Sequence, residues 1–329
     1  MYIVTGATGF IGSNLLAEMQ QRGYSDIVCC DTLGSGDKWK NIAKRGALQL
    51  IFPNQLQGFI AEHQSEIKAV LHLGAISSTT ETNVDSIVEN NFQLTLQLYT
   101  FCRAAGIPLI YASSAATYGA GERGFIDRDD PAFLASLRPL NPYGWSKNAV
   151  DKYISTHIST LRTSKPSQVV GLKFFNVYGP NEYHKGMQMS VVRHFFEQFR
   201  TTGRVRLFKS YRDDCAHGEQ RRDFVWVGDC VNVMLWMLEH PQVSGLFNVG
   251  TGNATSYNVV AQSIARCMNI EPVIEYIDMP DSVRNQYQYF TEADLTKLRS
   301  VGYDAPFTSV PDGVAQYVGG FLATDDIYR

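Results

Sequence analysis

No C-x-x-C pair occurs among the six cysteines of this 329-residue sequence, and no histidine cluster stands at zinc-finger spacing. A disulfide framework and a zinc site are therefore not expected, and no metal is assigned. Cys29 and Cys30 lie in an apolar run and read as core thiols; Cys102, Cys215, Cys230 and Cys267 read as free thiols in a reducing compartment. No run of 18 or more apolar residues is present, which argues against a membrane-spanning helix. The opening MYIVTGATG has no charged stretch before an apolar segment, so a secretory signal is not expected and the expected location is cytoplasmic. A net charge of −3 gives no basic excess for nucleic acid or an anionic membrane, while leaving room for a local basic groove around a phosphorylated ligand. Low-complexity linkers and internal repeats are missing as well.

What remains is the composition of a globular protein with a sizeable core, 44% hydrophobic and 19% charged. Apolar runs at Tyr2–Thr5, 26–30, 69–73, 108–112 and Val169–Phe174 read as buried strands. Helical spacing of apolar residues over 11–22, 84–105 and 143–161 separates them. This alternation predicts an α/β protein: a Rossmann-type, doubly wound parallel sheet with helices on both faces. Residues 1–175 are expected to form that domain and 176–329 mainly a smaller substrate-binding lobe, with segments near 224–250 returning to the sheet.

Gly6, Gly9 and Gly12 in VTGATGFIG form G-x-x-G-x-x-G between a strand signal and a helix signal. Missing side chains allow a tight turn and close backbone approach to a pyrophosphate at the helix N-terminus. Asp31 ends the second strand signal, nineteen residues after Gly12, where a carboxylate can bind the adenosine ribose; the bland reading of Asp31-Thr32 is a local cap. Asp31 alone favours NAD, whereas Lys38, if its loop folds back, can pair with a 2′-phosphate and admit NADP. Leu73, Gly74 and Ala75 supply small residues beside the cofactor, and Asn90 reaches either the ribose or, more simply, its own backbone.

Tyr143 and Lys147 stand four apart on a predicted helix and share one face. An adjacent ammonium favours a phenolate, which would bring a base closer to neutral pH. YASSAATYG follows the fourth strand signal and places Ser113 and Ser114 at the carboxyl edge of the sheet, with Ser114 preferred as the catalytic hydroxyl.

In TGATGFIG, LHLGA, YASSAATYG and YGWSK the sequence resembles the extended short-chain dehydrogenase/reductase family. HLGAISSTTET, FFNVYGPNEYHKG, RRDFVWVGD, FNVGTG and QYQYFTEADL are similar to its ADP-glycero-manno-heptose 6-epimerase branch. The resemblance implies epimerisation at C6″ of an ADP-heptose, with NADP as cofactor and NAD as the alternative. It implies a catalytic set of Ser114, Tyr143, Lys147 and Lys185. To the cofactor set it adds Phe10, Ile11, Thr32 and Val177, and its substrate set is Ser114, Asn176, Met187, His194, Phe208, Arg222 and Tyr287. A homo-oligomer, specifically a pentamer, is also implied. Read alone, Lys185 is a solvated loop lysine, Arg222 a surface ion pair and Tyr287 an ordinary lobe tyrosine. The chain departs from the branch at Met187, where a small polar residue is usual, and in a longer, more polar 211–220 segment. The competing functions are a UDP-sugar 4-epimerase, a dehydratase (disfavoured by Ala115-Ala116) and a non-catalytic dinucleotide sensor.

Overall fold

The computed structural model describes residues 1–46, 48–160, 167–284 and 287–329. Six strands appear first: β1 (Tyr2–Thr5), β2 (Ile27–Cys30), β3 (Gln49–Ile51), β4 (Ala69–His72), β5 (Leu109–Ser114) and β6 (Val169–Phe174). Together with Gly245–Val249 they make one parallel sheet, ordered Gly245–Val249, β6, β5, β4, β1, β2, β3. β1, β2, β4 and β6 are buried along their length or nearly so, because helices cover both faces. Helices Phe10–Gln21 and Val227–Glu239 bury Leu15, Leu16, Met19, Val231 and Met234 on one face. Helices Leu94–Ala105 and Pro142–Thr160 bury Leu98, Cys102, Val150 and Ile154 on the other.

The order reverses at β1, whose neighbours are β2 on one side and β4 on the other. A crevice opens beyond the carboxyl ends of the strands at such a switch point. Register aligns Thr5 with Cys30 and His72, and Ser114 with Phe174, so the ends of several strands share one rim.

Several element boundaries differ from the sequence reading, and the strand Gln49–Ile51 is additional to it. β5 runs two residues beyond 112, which puts Ser113 and Ser114 inside a strand and points them to opposite faces. The helical pattern over 84–105 is broken by a π-helical turn, Val88–Gln93. There the buried Asn91 side chain accepts from the Ile76 amide (2.8 Å) and donates to its carbonyl (2.9 Å), and the turn widens around that tie. The third helix starts at Pro142 and is described to Thr160; Leu161 lies outside the described residues.

The second lobe has its own core. Helices Val191–Thr202, Tyr257–Cys267 and Val310–Tyr317 pack Phe195, Phe196, Phe199, Ile264, Val314 and Tyr317 around Trp226. A two-stranded pair, Val205–Phe208 with Ile274–Ile277, flanks it. Asn176–Tyr178 pairs with Phe224–Trp226 where the chain crosses between the lobes. No helix among the described residues is long and apolar enough to cross a membrane.

Candidate active site

The tight turn after β1 requires its glycines. Gly6 has φ +65°, and a side chain there would meet the Leu73 carbonyl and the Gly74 amide; one at Gly12 would overlap the Gly6 carbonyl. Gly9 begins the Phe10–Gln21 helix with no side-chain cap and no acid in the first turn. The first-turn amides are thus left without an intrahelical or side-chain acceptor and meet the positive end of the helix dipole, an arrangement that fits a pyrophosphate.

This turn forms one wall of a cleft of about 640 Å³. Gly6, Gly9, Phe10, Ile11 and Gly12 line it, as do Asp31, Lys38, Leu73, Gly74, Ala75 and Val177. The buried Asp31 carboxylate accepts from Thr8 through its amide (2.9 Å) and hydroxyl (2.6 Å), from the Thr32 amide (2.7 Å) and from Lys38 (2.8 Å). Lys38 also donates to the Thr32 carbonyl at 2.8 Å, so its loop folds back over the end of β2. Thr32 contributes these backbone groups without lining the cleft. Asn90 also stays off the lining: its amide donates to the Ser86 carbonyl at 2.8 Å, one turn back on its own helix.

Under the cleft floor, His72 bridges Thr5 Oγ1 (2.6 Å) and Thr95 Oγ1 (2.9 Å). Thr95 spends its proton on the Asn91 carbonyl (2.6 Å), so His72 Nε2 is the donor there, while Thr5 Oγ1, which accepts from the Gly74 amide, has a proton to give Nδ1. Burial drives the His72 pKa down to about 3, and the charge on Lys147 adds to the shift.

Ser114, Tyr143, Lys147 and Lys185 line the same cleft. Ser114 neighbours the Tyr143 hydroxyl in the cleft. Ser113 turns the other way and donates to Asp151 at 2.7 Å, which commits it to structure and leaves Ser114 as the hydroxyl facing the cleft. Lys185 sits on the turn Tyr183–Gln188 with its ammonium 5.5 Å from the centre of the Phe10 ring.

The electrostatics correct one expectation. Burial raises the Tyr143 pKa despite the lowering influence of the neighbouring Ser114. Burial also pushes Lys147 down to about 8, against the opposing pull of Asp151. Desolvation thus outweighs the phenol–ammonium attraction anticipated from their spacing. Burial likewise lowers Lys185, with Glu182 opposing. The expected consequence is a fall in kcat/KM above a pH of about 8, as Lys147 loses its charge. In Lys147→Arg that alkaline limb should move to higher pH, because a guanidinium keeps its proton; a pH–rate profile checks both. The linkage has a definite sign. An unfolded lysine titrates near ~10.4, so between the two values the unfolded chain binds the extra proton and this group makes stability rise with pH.

Phe208 and Tyr287 line a second cavity of about 810 Å³ in the smaller lobe, their rings 6.3 Å apart and edge-on. The Arg222 guanidinium lies 5.2 Å over the Tyr287 ring and donates to the carbonyls of Arg221 (2.9 Å) and Gln288. It has no carboxylate partner among the described residues, so the ion-pair reading fails. The cavity is larger than the cleft but lacks the glycine turn and the tyrosine–lysine pair, and the chemistry is assigned to the cleft.

Asn176, Met187 and His194 line neither cavity. Met187 is 91% exposed, and its carbonyl faces His194 Nε2 at 3.3 Å. Conversely, Ser78, His184 and Gln188 line the cleft without having been singled out; Gln188 donates to Ser78 at 2.6 Å across two distant segments. Nothing in periodicity or spacing marks such a pair.

The NAD dependent epimerase/dehydratase family matches residues 2–250. An ADP-L-glycero-D-manno-heptose-6-epimerase of Nitratidesulfovibrio vulgaris strain DP4 is 44% identical over 99% of this chain and 99% of its own. The enzyme of that name from Fusobacterium nucleatum is 43% identical over 100% of both. Among solved structures, the Helicobacter pylori ADP-L-glycero-D-manno-heptose-6-epimerase superposes with a TM-score of 0.78 at 27% identity, over 98% of this chain and 96% of that one. By these matches, the chain belongs to the NAD dependent epimerase/dehydratase family and, within it, to the ADP-L-glycero-D-manno-heptose-6-epimerases.

Proposed function

We propose that the protein inverts C6″ of an ADP-D-glycero-manno-heptose through a transient 6″-ketone. The observation that carries this reading is the convergence of Ser114, Tyr143, Lys147 and Lys185 on the cleft that also holds the glycine turn. A nicotinamide dinucleotide, when bound, would supply the redox chemistry by accepting hydride from C6″ and giving it back to the opposite face. Gly9, Phe10, Ile11 and Gly12 would hold its pyrophosphate, and Asp31 and Lys38 its adenosine end. Tyr143 takes the proton of the 6″-hydroxyl while Ser114 holds the oxygen. Lys147, an ammonium below a pH of about 8, offsets negative charge as it develops on the phenol. Lys185 serves as the second acid–base group, its lowered pKa easing proton release. With one such group for each epimer, the direction of proton flow can reverse without net oxidation. The second cavity, with Phe208, Tyr287 and the unpaired Arg222 beside it, takes the nucleotide diphosphate end of the substrate.

Proton NMR of ADP-D-glycero-manno-heptose incubated with the cofactor-loaded protein tests this reading. The L-glycero epimer should appear without added reductant, and in D₂O the C6″ hydrogen should be retained because hydride does not exchange with water. Conversion of a UDP-hexose with no change in the heptose would overturn it.

The back-folded Lys38 supports NADP over NAD. Lys38→Ala should weaken NADP binding by roughly 10-fold or more, the worth of a charge-assisted hydrogen bond, and leave NAD nearly unchanged. Titration of both dinucleotides by calorimetry checks it; equal losses would assign Lys38 to local structure.

A further inference from the structure

The last residues of the sequence lie across the outside of the cofactor wall. The Arg329 amide donates to Asn181 Oδ1 (3.0 Å), and its guanidinium reaches Glu18 (2.8 Å) and Asn14 (3.4 Å) on the Phe10–Gln21 helix. Lys44 pairs with Asp326 at 2.7 Å and Arg45 donates to the Arg329 carbonyl at 3.1 Å, so the same four residues grip the loop that carries Lys38. The Tyr183 hydroxyl donates to the Ile327 carbonyl at 2.6 Å, two residues before Lys185. Three separate segments of the cleft wall thus meet on one short stretch.

The inner side of this contact continues to the cleft. Asn181 is fully buried in the left-handed region (φ 71°) and donates to Ser13 Oγ (3.0 Å) and the Asn41 carbonyl (3.3 Å). Asn41 in turn donates to the Thr8 carbonyl (2.9 Å) and meets His184 Nδ1 at 3.2 Å. Thr8 binds Asp31, and both Asp31 and His184 line the cleft. The path from Arg329 to the adenosine end of the site is therefore a continuous chain of hydrogen bonds through Asn181 and Asn41. The Asp37–Ile42 turn, which carries Lys38, cannot swing away from Asp31 without breaking it.

We propose that Asp326–Arg329 is a strap that sets how long the dinucleotide stays bound, with Asn181 and Asn41 as the positioning residues that transmit its hold. This rests on the cleft being a dinucleotide site and is independent of which sugar is used. An enzyme that oxidises and re-reduces its substrate within one turnover gains from slow cofactor release, because losing the reduced cofactor between the two steps strands the ketone.

The test is a chase experiment on the full chain: bound NADPH is displaced by excess NADP, and its release is followed by fluorescence. Lys44→Ala/Arg329→Ala removes both ionic anchors, and neither residue lines the cleft. Release is expected to accelerate about 10-fold, the scale of two partly exposed ion pairs lost together. Melting of the cofactor-free protein should be nearly unchanged. Release should also speed up with salt in the parent protein and lose most of that dependence in the variant. A change below about threefold, or a faster release fully accounted for by a lower melting temperature, overturns the strap. Because no sugar enters the experiment, the strap can fail while the epimerase reading stands, and the reverse; absence of any dinucleotide binding would overturn both.

Discussion

Tyr143→Phe is expected to lower kcat by roughly 10²–10⁴, the usual contribution of a positioned acid–base group, with the dinucleotide still bound. The substitution removes the Tyr143 hydroxyl beside Ser114 and leaves the ring, half-buried at the start of the Pro142–Thr160 helix, in place. A side chain at Gly144 beside it would meet the Ala116 carbonyl, so the helix start lies close against that backbone in a way the variant does not touch. Retained cofactor and an unchanged melting temperature would assign the loss to proton transfer. Near-normal turnover would instead remove Tyr143 from the mechanism and turn attention to Lys185.

Lys173→Met should be the most destabilising single change, at about 3–5 kcal/mol, the cost of leaving a buried charge without its partner. Lys173 and Asp151 are both fully buried and 2.6 Å apart. Asp151 also accepts from Tyr111 (3.0 Å) and Ser113 (2.7 Å), and Lys173 donates to Thr117 at 2.8 Å. This network ties the catalytic helix, two turns beyond Tyr143, to the ends of β5 and β6. Adding Asp151→Asn should recover more than half of the loss, since no charge is stranded: the amide oxygen accepts from one of Tyr111 and Ser113, and the amide NH2 donates to the other hydroxyl oxygen. Urea unfolding of the single and double variants checks this. No recovery in the double variant would show that shape rather than charge holds the site together.

The parts of the site that were legible in the sequence are those fixed by local chemistry. Gly6 and Gly12 stand out because a tight turn into a helix excludes side chains, and Tyr143 and Lys147 because four residues make about one helical turn. Ser114 is preferred over Ser113 in the sequence, but which face each points to depends on where the strand ends, and β5 runs two residues further than its apolar run. The lowered Tyr143 pKa expected from a neighbouring ammonium gives way to a raised one for a related reason. Spacing indicates that two groups are neighbours, but the dielectric around them comes from residues far away in sequence. Thr8, Asn41, Gln188 and Arg329 carry no signal at all, since each acts through a partner more than twenty residues distant.

By itself, then, the sequence determined the parallel α/β sheet, the glycine turn and the tyrosine–lysine face, all consequences of side-chain period and backbone sterics over a dozen residues or fewer. The tertiary structure alone decided that the Ser113 hydroxyl turns to Asp151, that Lys38 folds onto Asp31, that the Asp151–Lys173 pair ties the Pro142–Thr160 helix to the sheet, and that Asp326–Arg329 packs against the segments behind the cleft. These depend on hydrogen bonds and burial between segments that come together only when the sheet and its second lobe have packed.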